Sequence, residues 1–148
     1  MLVRKAKADD INSILNFQLA MARESENIEL DPDTVAKGIS AVLNDPNKGN
    51  YYVAEKQGRI IGSLLTTFEW SDWRNGTVLW IQSVYVIPEL RRKGVYSSLY
   101  SHVKNLVLED HSLKGIRLYA DKSNLTAHKA YIRLGMDADH YITFEWLK

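Results

Sequence analysis

The stretch Trp80 to Ser101, WIQSVYVIPELRRKGVYSSLYS, constrains the fold of this chain more than any other. Trp80 to Ile87 is uncharged, aromatic and β-branched, the composition of a buried strand. Pro88 ends it, because proline has no N–H for a sheet ladder and disfavours helix at the residue before it. Beyond Arg91-Arg92-Lys93-Gly94, the residues Val95, Leu99, Val103 and Leu106 recur at helical spacing. A strand, a basic glycine-bearing loop and a helix start together make an anion site. The open N–H groups of the first turn, Val95-Tyr96-Ser97, and the positive end of the helix dipole aim at one place, with the three cations beside it. Gly94 lets a ligand approach the backbone closely. The stretch reads as a diphosphate cradle. It is neither a P-loop nor a dinucleotide fingerprint, since GxxxxGK[ST] and GxGxxG are both absent.

A length of 148 residues suits one domain, 1–148, and 45% hydrophobic residues suffice for a core. No low-complexity or linker-like stretch divides it. The net charge of +1 gives no global field for nucleic acid or an acidic membrane. Without cysteine there is no disulfide framework, thiolate nucleophile or cysteine zinc site, and the four histidines are too scattered for a metal site. No apolar run approaches membrane-spanning length, and the N-terminus lacks an apolar leader. The expectation is a soluble, cytoplasmic protein.

In chain order, Leu2 to Lys5 can open as a strand. Asp9 or Asp10 caps a helix carrying Ile11, Ile14, Leu15, Leu19 and Ala22 on one side. The acidic RESENIEL segment, Arg23 to Leu30, reads as a loop. Asp31-Pro32 starts a second helix to about Leu43. Tyr51 to Lys56 and Arg59 to Phe68 form a hairpin around Gln57-Gly58. Trp70 to Gly76 is a turn-rich loop before the long strand, which begins at Thr77. The third helix runs to about Glu109, and Ile116 to Ala120 follows as a short strand. Leu125 to Leu134 is a helix ended by Gly135. Tyr141 to Leu147 is a closing strand. The order βααβββαβαβ predicts an α/β fold, a mixed sheet with helices on both faces.

These features resemble the GCN5-related N-acetyltransferases. Arg91 and Gly94 fill the first and fourth positions of that family's pyrophosphate motif, [RQ]-x-x-G-x-[GA]; Tyr96 stands at the sixth. Asn124 to Gly135, NLTAHKAYIRLG, is similar to its N-x-x-A-x-x-x-Y motif, with Ala127 and Tyr131 on one helical face. The element order matches that core end to end, and Glu69 through Arg92 looks closest to the spermidine/spermine and diamine branch.

The resemblance implies an acetyl-coenzyme A-dependent N-acetyltransferase in which an amine attacks the thioester directly. It implies splayed central strands, with a backbone oxyanion donor near Val84, Tyr85 and Val86. By the same token Arg91 to Ser97 would hold the phosphates, Asn124 and Ala127 the pantetheine arm, and Tyr131 the leaving thiolate. Relatives of this kind are often homodimers, and Tyr141 to Trp146 could contribute to the interface. The polyamine branch carries acids mid-strand where this chain has Gln82 and Ser83. The candidate bases are then Glu69, Asp72, Glu26, Glu29 and the histidines, with Glu69 the first choice because it ends a strand beside the aromatic loop. Glu26, Trp70, Asp72, Trp73, Trp80 and Gln82 suit a cationic amine through carboxylates and aromatic faces. Two other readings keep the fold: a non-catalytic acyl-coenzyme A sensor, and transfer to an amino-acid or antibiotic amine. Nucleic acid, membrane and metal play no part in any of them.

Overall fold

The computed structural model describes residues 1–148. One five-stranded sheet runs in the order β1-β2-β3-β4-β5, with β1 Leu2–Lys5, β2 Asn50–Lys56, β3 Arg59–Ser71, β4 Gly76–Val86 and β5 Leu113–Arg117. The helices are α1 (Ile11–Glu26), α2 (Pro32–Asn44), α3 (Val95–Glu109) and α4 (Leu125–Arg133). Neighbouring strands pair antiparallel up to β4, and β4 pairs β5 in parallel across the α3 crossover. Two compact units result, Met1–Arg117 with the sheet and α1 to α3, and Leu118–Lys148 with α4.

Strand alternation sorts the first unit into layers. Tyr51 and Val53 of β2 pack with Ile14 of α1 and Ile39 of α2, and Leu65 of β3 joins them. Tyr52, between them, points the other way and meets the His102 ring of α3 at a tilt of 57°, with ring centroids 5.1 Å apart. On α3 the expected stripe is the buried one: Val95, Leu99 and Val103 are all in the core.

Most elements follow from local chemistry. Asp31 accepts the Thr34 amide at 3.0 Å, and Pro32 sits where its missing N–H costs nothing. Gln57 and Gly58 both have positive φ, the pairing a two-residue hairpin turn requires. Asp10 does something other than cap α1. Its carboxylate receives Arg4 through both oxygens, at 2.7 and 3.0 Å, and the Lys7 amide at 2.8 Å. Arg4 also reaches Glu55 at 2.8 Å, so β1, β2 and the turn before α1 are tied in one partly buried network around the buried Asp10. Burial pushes the Asp10 carboxyl up, but the Arg4 and Lys7 bonds outweigh it and hold it below the usual carboxylate range.

Three boundaries differ from the sequence reading. Helix α1 continues through Arg23 to Glu26, residues of ordinary helix propensity, and stops where Asn27 turns left-handed at φ 53°. The hairpin of β3 and β4 also absorbs most of the expected Trp70–Gly76 loop, leaving a turn at Asp72–Asn75. Strand β5 begins at Leu113 and ends at Arg117, because the Thr77 amide bonds the Ser112 carbonyl and sets the parallel register there.

The closing strand is a correction. Tyr141–Leu147 carries a strand pattern but forms no strand, so the observed order is βααβββαβα. Side-chain types favour an extended segment; only a ladder partner makes it a strand.

Candidate functional site

Two irregularities in β4 define the centre of the first unit. The β4–β5 ladder runs only from Thr77 to Trp80, opposite Leu113 to Arg117, while β4 continues to Val86. Beyond Trp80 the strands part, and the β4 edge from Ile81 to Val86 has no β5 neighbour. Within that length, Leu65 faces Gln82 and Ser63 faces Tyr85, so three steps on β4 answer two on β3. The extra residue is a bulge, marked by Ser83 at φ 51°. A serine held left-handed mid-strand is strained, and such strain collects at functional positions. The expected oxyanion donors Val84, Tyr85 and Val86 follow this bulge on the open edge.

The loop after β4 presents backbone amides and two exposed cations. Arg92 has φ 60° and Gly94 φ 84°, and Lys93 between them is not in the positive-φ region. Alternating handedness turns successive N–H groups toward one point, forming a nest. Ser98 is the first residue of α3 to bond back, to the Gly94 carbonyl at 3.0 Å, so the amides before it face out of the helix end. Arg92, Lys93, Gly94 and Ser97 are exposed, Tyr96 is half-buried and Val95 is core. No side chain stands within 4 Å of where a Gly94 Cβ would be, which leaves the approach open.

Arg91 is arranged differently from its two neighbours. Its Nη2 donates to Glu24 Oε2 at 2.6 Å, its Nε to the Val86 carbonyl at 2.9 Å, and its guanidinium lies 5.3 Å from the Tyr85 ring centroid. The Tyr85 hydroxyl donates to the other Glu24 oxygen at 2.9 Å, and Phe17 stacks on Tyr85. Partial burial pushes the Glu24 carboxyl up, yet the bonds from Arg91 and Tyr85 prevail and keep it low. Arg91 therefore anchors the loop to α1, while Arg92 and Lys93 carry its open charge.

A polar stripe crosses β3 and β4 on the α1/α2 side. Gln82 Nε2 donates to Thr67 Oγ1 at 2.5 Å, and Trp80 Nε1 to Glu69 Oε1 at 3.2 Å. Arg117 of β5 donates to Glu69 Oε2 at 2.5 Å. Both Glu69 oxygens are thus engaged. One oxygen meets the Trp80 indole and the other the Arg117 guanidinium.

The other expected acceptor residues spread out. Trp70 alternates to the opposite face of β3 from Glu69 and is 65% exposed. Trp73 sits on the turn at 90% exposure, beside Asp72, whose carboxylate accepts the Trp73 amide. Glu26 is exposed at the last turn of α1. Glu24, Thr67 and Arg117 are the members of these clusters that sequence reasoning missed. The arginine bonds that single out Glu24 and Arg117 join residues far apart in the chain, so nothing local signals them.

The second unit holds the remaining residues. Asn124 Oδ1 accepts the Ala127 amide at 3.1 Å and caps α4 as expected, while Gly135 follows the helix at φ 88°. Burial pushes the Tyr131 phenol above its ordinary value, so at neutral pH it keeps its proton.

The acetyltransferase (GNAT) family model matches residues 11–136. The uncharacterized N-acetyltransferase MJ1530 of Methanocaldococcus jannaschii is 27% identical over 135 residues, 91% of this chain and 77% of that protein. The crystal structure of a possible acetyltransferase from Clostridium difficile 630 is 41% identical, with a TM-score of 0.92 over 99% of this chain and 97% of that one. A predicted acetyltransferase from Clostridium acetobutylicum, solved with acetyl-CoA, shares the fold at 21% identity and a TM-score of 0.76, covering 97% and 95%.

Proposed function

The chain belongs to the acetyltransferase (GNAT) family and is an N-acetyltransferase using acetyl-coenzyme A, and from that premise we propose that its acceptor is the primary amine of a small molecule or a lysine-like side chain. The observation that carries this reading is the joint position of two features on β4: an open, bulged edge and, a few residues on, an anion-binding nest. One orients a carbonyl and the other a diphosphate. The family match, 11–136, runs through both compact units, which supports treating 1–148 as one catalytic domain.

Bound acetyl-coenzyme A supplies an activated acetyl thioester. The nest and the Arg92 and Lys93 side chains hold its phosphates, and Arg91 keeps the loop in place through Glu24. An amide among Val84 to Val86 stabilises the oxyanion that develops as the amine attacks; a preorganised donor of this kind is worth about 3 kcal/mol. Asn124 and Ala127 line the path of the pantetheine arm. Tyr131 donates a hydrogen bond to the departing sulfur. Full proton transfer from a phenol near 10 to a thiolate near 8.5 is uphill by roughly 2 kcal/mol, and the raised Tyr131 value makes it more so. Tyr131→Phe should lower kcat at least tenfold with the KM for acetyl-coenzyme A nearly unchanged. Steady-state kinetics decide it, and equal turnover would remove Tyr131 from the mechanism.

The acids near this site argue against a polyamine. Glu24, Glu29 and Glu69 are each paired with an arginine, and Gln82 and Ser83 are neutral where the polyamine branch has acids. A single amine, with Gln82, Thr67 and Trp80 around it, fits the stripe better. With Glu69 engaged, solvent takes the amine proton. The kcat/KM should then rise about tenfold per pH unit below the acceptor's own pKa, and Glu69→Gln should leave that slope in place. A limb that disappears in Glu69→Gln would restore Glu69 as the base.

A thiol-release assay over a panel of primary amines tests the whole reading. Tight coenzyme binding without release from any amine would make the chain a sensor. Acetyl-coenzyme A is a cytoplasmic metabolite, and a cytoplasmic homodimer completes the proposal.

A further inference from the structure

Helix α1 grips one residue of β4 at two points. Phe17 stacks on the Tyr85 ring, with centroids 5.1 Å apart. Glu24, two turns further along the same side of the helix, accepts the Tyr85 hydroxyl at 2.9 Å. The other Glu24 oxygen accepts Arg91 Nη2 at 2.6 Å, and Arg91 Nε returns to the Val86 carbonyl at 2.9 Å. One carboxylate thus closes a ring through Tyr85, Val86 and Arg91, joining the open edge of β4 to the start of the basic loop. Glu24 and Arg91 side chains are each 42% exposed, and an ion pair that open adds little to stability. What it fixes is a distance.

We propose, resting on the acetyl-transfer reading above, that Glu24 is a positioning residue: its length sets the spacing between the β4 amides that meet the acetyl carbonyl and the loop that holds the diphosphate. Glu24 acts through Tyr85 and Arg91 and needs no contact with the coenzyme. Length and charge are separable at this position. Glu24→Gln keeps the length, and its amide still meets a hydroxyl on one side and accepts the guanidinium on the other. Glu24→Asp keeps the charge but is shorter by one carbon–carbon bond, about 1.5 Å, so it reaches one partner at a time.

Misplacing reacting groups by about 1 Å costs about a hundredfold in rate, and kcat should fall by that much in Glu24→Asp. In Glu24→Gln it should fall by about fivefold at most, the worth of an exposed ion pair. Each kcat is divided by the active fraction, taken from the calorimetric stoichiometry of coenzyme A, so that poor folding is not counted as poor alignment. Binding supplies a second readout that needs no acceptor. ADP engages the loop alone, whereas acetyl-coenzyme A spans the loop and the β4 edge. Glu24→Asp should weaken acetyl-coenzyme A by about fivefold, the worth of one hydrogen bond, and leave the Kd of ADP unchanged. An unaffected Glu24→Asp, or a loss in Glu24→Gln as large as in Glu24→Asp, overturns the positioning role. So does a Glu24→Asp variant that weakens both ligands alike or neither. If the unaltered protein releases thiol with no amine, the acetyl-transfer reading fails, and the two binding measurements still decide the role of Glu24.

Discussion

Stripping the charge from Arg92 and Lys93 together, as Arg92→Gln/Lys93→Gln, should weaken coenzyme A binding by about 30-fold. The figure comes from about 1 kcal/mol per exposed charge contact, two contacts, and a tenfold change for each 1.4 kcal/mol. Both side chains are exposed at the nest and neither is drawn into the Glu24–Arg91 pair, so their charge is available to a phosphate. Because the contacts are exposed, the effect should shrink as salt rises and the Debye length falls below about 10 Å. Calorimetric titration at two ionic strengths checks both halves. An unchanged Kd at low salt would mean that the phosphates lie elsewhere.

The second large effect falls on the fold. Asp10→Ala should lower stability by about 3 kcal/mol, since it removes the buried carboxylate from a partly buried pair and leaves the Lys7 amide without its acceptor. The value belongs at the low end of that class because Arg4 keeps Glu55. For a chain of this length the loss corresponds to roughly 10 °C in Tm. The pH dependence has a definite sign. Asp10 is held below its unfolded value, so the stability it contributes is complete above about pH 4 and is lost as pH falls below that toward the folded value. Melting curves of the two proteins should lie far apart at pH 7 and draw together in acid. A constant separation down to pH 3 would contradict the linkage.

Much of the architecture is legible in the sequence because it is specified locally. Pro32 behind Asp31, Gln57-Gly58 between two strand patterns, and the Val95-Leu99-Val103 stripe each determine their element within a few residues. The basic loop before α3 is legible for the same reason: Arg92 to Gly94 and the helix start are consecutive. What sequence conceals is whatever depends on a distant partner. Glu24 looks like one acid among several in RESENIEL until Arg91, 67 residues on, claims it. Glu69 looks like a free base until Arg117 arrives from β5. Trp70 and Glu69 look like one pocket, although adjacent strand residues point to opposite faces. Tyr141–Leu147 has the residue types of a strand and forms none, because a pattern does not name its ladder partner.

The additional residue at Ser83 reverses the parity of everything after it on β4. Gln82 and Tyr85 are three apart, an odd interval that would set them on opposite sides of a regular strand, yet both stand across from β3 residues of one face. Deleting Ser83 would send the Tyr85 ring to the α3 side, strip Glu24 of its hydroxyl donor, and take the aromatic surface from under Arg91. A single codon thus sets the address of the whole downstream half-strand. A side-chain exchange at Thr67, Gln82 or Trp80 changes one position, whereas an insertion or deletion between Gln82 and Tyr85 re-aims every residue after it.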